Sequence, residues 1–321
     1  MKKLLSSLLI ISVFFGVACW KESQTQSTEK EFEGVISVSG AWALYPMVVK
    51  WAEEFQKIHS DVRIDVAAGG AGKGMADCLA QVVDIGMVSR DIYPAEIEKG
   101  AWWVSVTKDA VVPTINRNNP VSKDLLVKGI KKEAFMDIWI TGEIKKWDQV
   151  VETETNDSIH VYTRSDACGA AKTWARFLGG KQEDLLGVGV YGDPGLAEAV
   201  KKDVLGIGFN NINYAYDAKS QQQVDQISIV PIDLNENGVI DKDEDFYNER
   251  DEIVEAIAAG KYPSPPARLL HLVSQGKPQR QVVIEFIQWI LTDGQRYIPE
   301  SGYISLTEEK IQQELKKLDG E

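Results

Sequence analysis

Extended segments alternate with helical segments over the first third of the chain, and this alternation most constrains its fold. GVISVSG (34–40), VRIDVAA (62–68) and VDIGMVS (83–89) are short apolar runs of the kind that form strands. Between them, residues 44–59 and 73–81 repeat apolar side chains at helical spacing. Alternation at this pace is typical of α/β units with a largely parallel sheet. We therefore predict an α/β fold.

Two later segments indicate that the chain crosses between two lobes. The extended run 104–116 and the proline-rich 262–267 both suit a crossing. Each lobe is predicted to hold a mixed, mostly parallel sheet flanked by helices, with lobe one formed by 34–110 and 266–321 and lobe two by 111–265. Ligands of open α/β sheets bind beyond the carboxyl ends of the strands, so we expect a ligand in the interlobe cleft. Further strands are predicted at 158–164, 205–211, 226–233 and 268–274, and helices at 132–150, 168–179, 194–202, 244–260, 278–298 and 307–318.

The N-terminus has the features of an export signal. A basic start precedes an apolar run over residues 4–17 and a small residue before Cys19. Gly16–Cys19 resembles a bacterial lipobox, which predicts a signal peptide over 1–18, lipidation of Cys19 and a polar tether over 19–33. Simple cleavage that leaves a free cysteine is the alternative. Either way the mature protein is expected outside the cytoplasm, in the periplasm or at the cell surface, and the lipidated form is anchored to a membrane.

The charge balance excludes one class of partner. The chain has 35 Lys and Arg against 48 Asp and Glu, a formal net charge of −13. Nucleic acids are bound by clustered basic residues, so an acidic chain of this kind is not expected to bind them. Any anion must be held by a local site rather than by the overall field.

Cysteines and histidines give little support for an enzyme. Cys78 and Cys168 could pair in an exported protein, and two buried free thiols are equally consistent with the sequence. The three histidines lie far apart in the chain and match neither a metal nor a triad spacing. A thiol enzyme that uses Cys168, beside Arg164 at a helix start, remains the alternative. We predict that the protein is not an enzyme.

The segment GGAGKG (69–74) looks at first like a phosphate-cradling loop. A P-loop requires Ser or Thr after its Gly-Lys pair, and here Gly74 follows. A dinucleotide loop requires a third glycine where Met75 stands. The segment is therefore either a plain helix-entry turn or an anion seat built from N–H groups at a helix N-terminus.

Six segments in fixed order carry a family resemblance: SGAWALYPMVVKWAEEF (39–55), AAGGAGKG (67–74), DIGMVSRD (84–91), WITGEIKKWDQV (139–150), VYTRSDACGA (161–170) and GIGFNNINYAY (206–216). Over about residues 35–321 the chain resembles the phosphate-binding protein of bacterial ABC importers. The resemblance implies a two-lobed periplasmic binding protein that captures an inorganic oxyanion, phosphate above all, and delivers it to an ABC permease in the inner membrane. We expect the protein to be a monomer. Sulfate, molybdate, tungstate or an organic acid is the alternative ligand.

The resemblance also implies the anion-binding positions, which are Leu44, Tyr45, Ala71, Gly72, Arg90, Arg164, Cys168, Gly169 and Ala170. Family hydroxyls are missing at several of these, so backbone N–H groups and the charge-assisted bonds of the two arginines must replace them. Some family members have an Asp that accepts a hydrogen bond from the ligand, and Arg90 stands at that position here. Asp91 or Asp166 would then have to be the acceptor. The arginines could instead form structural ion pairs, and Lys73 is expected to be solvated.

A second motif predicts a different ion. DLNENGVIDKDE (233–244) fits the EF-hand calcium loop D-x-[DN]-x-[DN]-G-x₅-E at every fixed position. Calcium prefers six to eight oxygen ligands. The predicted ligands are Asp233, Asn235, Asn237, Val239 through its carbonyl, Asp241 and Glu244. With one such loop in the chain, we expect a structural calcium ion rather than a sensor. An acidic surface turn is the alternative.

Overall fold

The computed structural model describes residues 32–319. The predicted signal peptide 1–18, the lipidation site Cys19 and most of the tether 19–33 lie outside these residues. The strands are β1 (Gly34–Gly40), β2 (Val62–Ala68), β3 (Ile85–Val88), β4 (Ala101–Asn116), β5 (Ile130–Lys131), β6 (His160–Arg164), β7 (Val188–Val190), β8 (Gly206–Asn211), β9 (Ile227–Ile229), β10 (Ile232–Asp233) and β11 (Ala267–Gln275).

The α-helices are α1 (Tyr45–Ile58), α2 (Ala71–Leu79), α3 (Pro94–Glu98), α4 (Ser122–Lys128), α5 (Lys132–Met136), α6 (Gly169–Phe177), α7 (Gly192–Lys202), α8 (Ile212–Ala215), α9 (Arg250–Ala258), α10 (Gln281–Leu291) and α11 (Glu308–Asp319). A π-helical turn covers Asp137–Thr141, and 3₁₀ turns cover Trp147–Gln149, Gln182–Asp184 and Asp293–Tyr297. Between Phe32 and Asp319, no helix combines the length and apolar character needed to cross a membrane.

One long sheet organises the described residues. Its strand order is β2-β1-β3-β11-β4-β8-β6-β7, and β9 also pairs with β4. The pairs β1–β2, β1–β3, β6–β8 and β6–β7 are parallel, while β11 and β4 are antiparallel to their neighbours. The first part of β4 pairs with β11, and its last part, from Val111, pairs with β8 and β9. β4 therefore links the two halves of the molecule.

The buried apolar side chains form two clusters on either side of this link. One cluster draws on residues between 36 and 106 and between 270 and 318, with Phe55 packed against Phe286 and Trp289. The other draws on residues 110–267 and on Ile304, with Trp174 packed against Trp139 and Phe209. We call the chain around the first cluster lobe one and the chain around the second lobe two. Burial of apolar surface in each cluster stabilises each lobe.

Three predicted helices are shorter in the structure. The segment 278–298 is α-helical only over Gln281–Leu291, and a 3₁₀ turn follows at Asp293–Tyr297. The segment 132–150 leaves α-helical geometry after Met136, and Gly142 ends its π turn in the left-handed conformation, which suits glycine. The predicted helix over 244–260 begins only at Arg250, because Glu249 has extended backbone and forms an isolated bridge with Gln222. Short elements such as α3, α4 and β7 span too few residues for periodicity to reveal them.

Candidate functional site

The glycine loop before α2 lies directly against lobe two. Gly70 has φ +89°, and a Cβ atom there would lie 2.8 Å from Oδ2 of Asp166. A Cβ atom on Gly72 would lie 2.8 Å from the Cβ of Ala167. The N–H of Gly72 donates to the carbonyl oxygen of Ala167 at 3.0 Å. The glycines are therefore needed for close approach between the lobes, which the sequence alone left open.

The N-terminus of α6 meets lobe one from the other side. Cys168 caps this helix, and its sulfur accepts the N–H of Ala171 at 3.4 Å. A Cβ atom on Gly169 would lie only 2.1 Å from the carbonyl oxygen of Ser89, just after β3. The ends of α2 and α6 thus face the same narrow region of the interlobe cleft, which we call the anion seat.

Some backbone N–H groups at the anion seat already donate hydrogen bonds within the protein, and others do not. The N–H groups of Leu44 and Tyr45 both donate to the carbonyl oxygen of Ala41 at 3.1 Å, within their own loop. By contrast, the N–H groups of Ala71, Gly169 and Ala170 have no acceptor among residues 32–319. The first N–H groups of a helix lack intrahelical partners and carry partial positive charge, so they attract anions.

Arg164 lies beside these donors in a buried ionic network. Its Nη1 is 2.5 Å from Oδ2 of Asp193, and its Nη2 is 2.6 Å from Oδ2 of Asp166. Its side chain has no exposed surface. Burial works to lower the pKa of Arg164, but the carboxylates of Asp193 and Asp166 outweigh it and raise this pKa above its ordinary value. The guanidinium remains charged, and three of its five N–H groups are engaged.

Arg90 has the geometry of a structural ion pair. Its two terminal nitrogens contact the two carboxylate oxygens of Glu96, at 2.9 and 2.6 Å. Its guanidinium also lies over the ring of Tyr93, 4.3 Å from the centroid. With Arg268 and other residues it lines a cleft of about 1040 Å³. These contacts favour the ion-pair alternative for Arg90 over the ligand role that the family resemblance implied.

The other charged residues near the glycine loop also have defined places. Lys73 pairs with Asp77 one helical turn along α2 and is half exposed, in keeping with the solvated interpretation. Asp91 is 72% exposed and pairs with Arg176. Asp166, in contrast, is 7% exposed and faces Gly70. Of the two carboxylates considered as acceptors, Asp166 is the one at the anion seat.

Sequence reasoning missed two residues of this region. Asp193, the second partner of Arg164, lies 29 positions further along the chain, and no local pattern connects the two. Trp42 reaches from lobe one to lobe two: its ring is 6.3 Å from that of Tyr191, and its carbonyl oxygen accepts the hydroxyl of Tyr214 at 3.1 Å. Trp42 stands within the quoted family segment 39–55, which is the only signal the sequence offered for it.

A buried ion pair joins the two strands that connect the lobes. Asp109 on β4 and Arg268 on β11 are cross-strand neighbours, and Nε of Arg268 is 2.8 Å from Oδ1 of Asp109. Arg268 also donates to Oγ1 of Thr173 on α6 at 3.1 Å and to the side chain of Asn211 at the end of β8. This network fixes α6, and with it half of the anion seat, to the connecting strands.

Both cysteines of the described chain are buried free thiols. Cys78 donates to the carbonyl oxygen of Val273 at 3.3 Å, whereas Cys168 caps α6. Burial raises the pKa of Cys78 to about 11 and that of Cys168 to about 12, the latter against the opposing effect of Arg164. Of the two alternatives left open by the sequence, the structure contains the free thiols.

The predicted calcium loop lies in lobe two, away from the anion seat. It begins in β10, which pairs with β5, and it ends at the buried Glu244. Within the described chain, no three His, Cys, Asp or Glu side chains come close enough together to hold a metal ion. The predicted ligand set, however, also includes two amide oxygens and one carbonyl oxygen.

Comparison with known proteins identifies the family. A model of the PBP superfamily domain matches residues 21–294, which is most of the chain. The chain therefore belongs to the PBP superfamily. Curated relatives include the phosphate-binding protein PstS of Methanocaldococcus jannaschii, 23% identical over 95% of this chain and 92% of that protein. The PstS of Bacillus subtilis is 24% identical over 97% of this chain and 96% of that protein.

Solved structures support the same fold. A candidate phosphate ABC transporter substrate-binding protein from Clostridium perfringens, solved with bound phosphate, aligns with a TM-score of 0.69 at 23% identity, covering 85% of this chain and all of that one. An ABC-type phosphate transport receptor from Vibrio cholerae aligns with a TM-score of 0.61 at 18% identity, covering 84% of this chain and all of that one. These likenesses confirm the predicted two-lobed α/β fold.

Proposed function

We propose that this protein is an extracytoplasmic solute-binding protein that captures phosphate between its lobes for an ABC importer. The observation that carries the proposal is the meeting of two helix N-termini, those of α2 and α6, across the cleft beside the buried Arg164. The names of the curated relatives and the phosphate in the Clostridium perfringens structure agree with this ligand.

Binding is proposed to use backbone donors from both lobes. The free N–H groups of Ala71, Gly169 and Ala170 would hold the phosphate oxygens, and Arg164 would supply the remaining charge-assisted bonds. The thiol of Cys168 adds a weak donor at the same helix end. Since the N–H groups of Leu44, Tyr45 and Gly72 are bonded within the protein, their role in binding would require these bonds to be exchanged for bonds to the anion.

Asp166 is proposed to set the preference for phosphate. It is buried beside the glycine loop, where a carboxylate would repel a fully ionised oxyanion. Hydrogen phosphate carries a proton that such a carboxylate can accept, whereas sulfate at neutral pH carries none. The neighbouring Asp91 is exposed and is not proposed for this part.

Export and anchoring complete the proposed function. The lipobox-like Gly16–Cys19 supports cleavage of residues 1–18 and lipidation of Cys19. The mature protein would act as a monomer at the outer side of a membrane and pass its anion to an ABC permease. In the expression host, a Cys19→Ser variant should move from the membrane fraction to the soluble fraction; an unchanged distribution would contradict the anchor.

We favour a binding role over the alternative of an enzyme that uses Cys168 as its nucleophile. Because burial raises the pKa of Cys168 to about 12, its sulfur stays protonated at neutral pH and is a poor nucleophile. The second candidate function is binding of another oxyanion. It is supported by Leu44, Ala71 and Ala170, which stand where the family has hydroxyl donors to its phosphate.

Calorimetric titration of ligand-stripped protein would test the proposal with phosphate, sulfate, molybdate and tungstate. We expect binding heat with phosphate, and no heat with any of the four would overturn an oxyanion-binding role. Arg164→Lys keeps a charge opposite Asp166 and Asp193 but loses the planar fork, so phosphate affinity should fall about 10–100-fold. Parental affinity in this variant would remove Arg164 from the proposed ligands.

A further inference from the structure

The loop 233–244 contains a buried carboxylate oxygen that phosphate binding does not explain. Asp233 is 2% exposed, and its Oδ2 accepts the N–H of Gly238 at 2.8 Å. Its Oδ1 is also buried and has no hydrogen-bond partner in the described chain. A buried charged oxygen without a partner is costly, so proteins retain one mainly where a ligand or ion satisfies it.

Other polar side chains of the loop contact one another. The amide nitrogens of Asn235 and Asn237 both contact Oδ2 of Asp241, at 2.9 and 2.8 Å. Glu244 is 5% exposed, and its Oε1 accepts the N–H of Asn235 at 3.0 Å. Side-chain hydrogen bonds thus join positions 3, 5, 9 and 12 of the motif to one another. A half-turn of each amide would place oxygen where nitrogen now lies.

The loop is also strongly acidic for its length. Its five acidic residues, Asp233, Glu236, Asp241, Asp243 and Glu244, are opposed by one lysine, Lys242, so its net charge is 1 − 5 = −4. Like charges held this close repel one another, and a divalent cation at their centre would relieve the repulsion. The loop therefore combines excess negative charge with oxygen donors, which is the donor type that calcium prefers.

We propose that this loop binds a calcium ion. The ligands would be Oδ1 of Asp233, the side-chain oxygens of Asn235 and Asn237, the carbonyl of Val239, Asp241 directly or through water, and both oxygens of Glu244. In this arrangement Glu244 exchanges its backbone N–H partners for the ion, and the amides of Asn235 and Asn237 turn their oxygens inward. The ion would draw the two ends of the loop together.

The attachments of the loop indicate what the ion would do. Ile232 and Asp233 pair with β5, and the N–H of Ile240 donates to the carbonyl of Val127 at 2.8 Å. Directly after Glu244, Phe246 and Tyr247 enter the lobe-two core. An ion held by both ends of this loop would therefore stabilise lobe two, and we infer a structural role that leaves the anion seat unchanged.

Direct titration with calcium alone would test the site. Calorimetry of chelator-treated protein with CaCl₂ should show one site with a Kd of about 10⁻⁴–10⁻³ M, the range of extracellular modules, and MgCl₂ should bind more weakly. At 10 mM calcium the melting temperature should rise by about 3 °C or more over that with chelator. No heat together with equal melting curves would overturn the proposal.

Matched variants would locate the ion. Asp233→Asn and Glu244→Gln should each abolish the calcium-dependent rise in melting temperature. Asp243→Asn removes the same charge from an exposed, non-ligand position of the loop and should retain the rise. If the Asp243 variant lost the calcium-dependent rise in melting temperature, calcium would bind through diffuse charge, and the assignment would be overturned. A rise that persisted in both Asp233→Asn and Glu244→Gln would overturn it as well. Phosphate affinity of the parent should differ less than twofold with and without calcium.

Discussion

Gly72 of α2 donates its N–H to the carbonyl oxygen of Ala167 across the interlobe cleft, at a distance of 3.0 Å. This bond joins the first turn of α2 to the loop that precedes α6. The N-termini of these two helices carry the free donors of the anion seat. The contact depends on the absence of a side chain, because a Cβ on Gly72 would lie 2.8 Å from that of Ala167. The close approach of the two lobes at the anion seat thus depends on this glycine.

Gly72→Ala should weaken phosphate binding about tenfold. The added methyl group would hold the lobes apart, and relieving such a clash typically costs about 1–3 kcal/mol, which is a factor of ten or more in affinity. The core of each lobe is untouched, so the melting temperature of the ligand-free protein should change by less than about 2 °C. Calorimetry and thermal melting would measure the two effects.

The matched control for Gly72 is Gly195→Ala in α7. Its Cβ would meet only the end of the Val190 side chain, at 3.1 Å. This variant should bind phosphate like the parent. Equal affinity in both glycine variants would contradict the coupling between closure and binding.

Arg90→Gln and Glu96→Gln should behave alike if Arg90 is structural. Each substitution breaks the same partly buried ion pair, so each should lower the free energy of unfolding by about 1–3 kcal/mol and change phosphate affinity less than threefold. A ligand role for Arg90 predicts a different result, in which Arg90→Gln loses affinity strongly and Glu96→Gln does not. Denaturant unfolding and calorimetry on both variants would distinguish the two outcomes.

Asp166→Asn should narrow the preference for phosphate over sulfate. The amide removes the negative charge beside the glycine loop and can donate to a fully ionised oxyanion, so sulfate should gain affinity relative to phosphate by about tenfold or more. Asp193→Asn alters the other carboxylate on Arg164 and serves as the control. A sulfate-to-phosphate ratio that shifts equally in both variants would mean that Asp166 has no special part in selectivity.

His271 should make the protein less stable in mild acid. Burial lowers the pKa of His271 to about 4, and its Nδ1 lies 3.2 Å from Oγ of Ser105. The unfolded chain takes up a proton near pH 6.5, while the folded protein does so only near pH 4. The contribution of His271 to the free energy of unfolding is therefore complete above pH 6.5. As the pH falls from 6.5 toward 4, the free energy of unfolding decreases by up to about 3 kcal/mol.

The variant His271→Gln would isolate this effect. It cannot take up a proton, so its free energy of unfolding should fall less between pH 6.5 and 4 than that of the parent. Parallel profiles for the parent and His271→Gln would contradict the assignment to His271.

Local patterns in the sequence were sufficient for the main elements of the fold. The apolar runs 34–40 and 62–68 became β1 and β2 with the predicted bounds, and the helical spacing at 44–59 became α1 with small shifts at its ends. These predictions are correct because the spacing of apolar residues within a short segment determines which face of a helix or strand can be buried. The calcium prediction for 233–244 rests on local pattern as well, because such a loop draws its ligands from one short segment, and it stays a prediction.

Only the tertiary structure decided what the arginines and glycines do. The sequence placed Arg90 and Arg164 among the candidate ligands, but their partners differ: Arg90 is neutralised by Glu96, whereas Arg164 is held by Asp166 and the distant Asp193 at the cleft. The contact of the glycine loop with Ala167 in the other lobe was likewise not visible in the sequence. Charge pairing and close approach act between segments far apart in the chain, so folding alone brings these partners together.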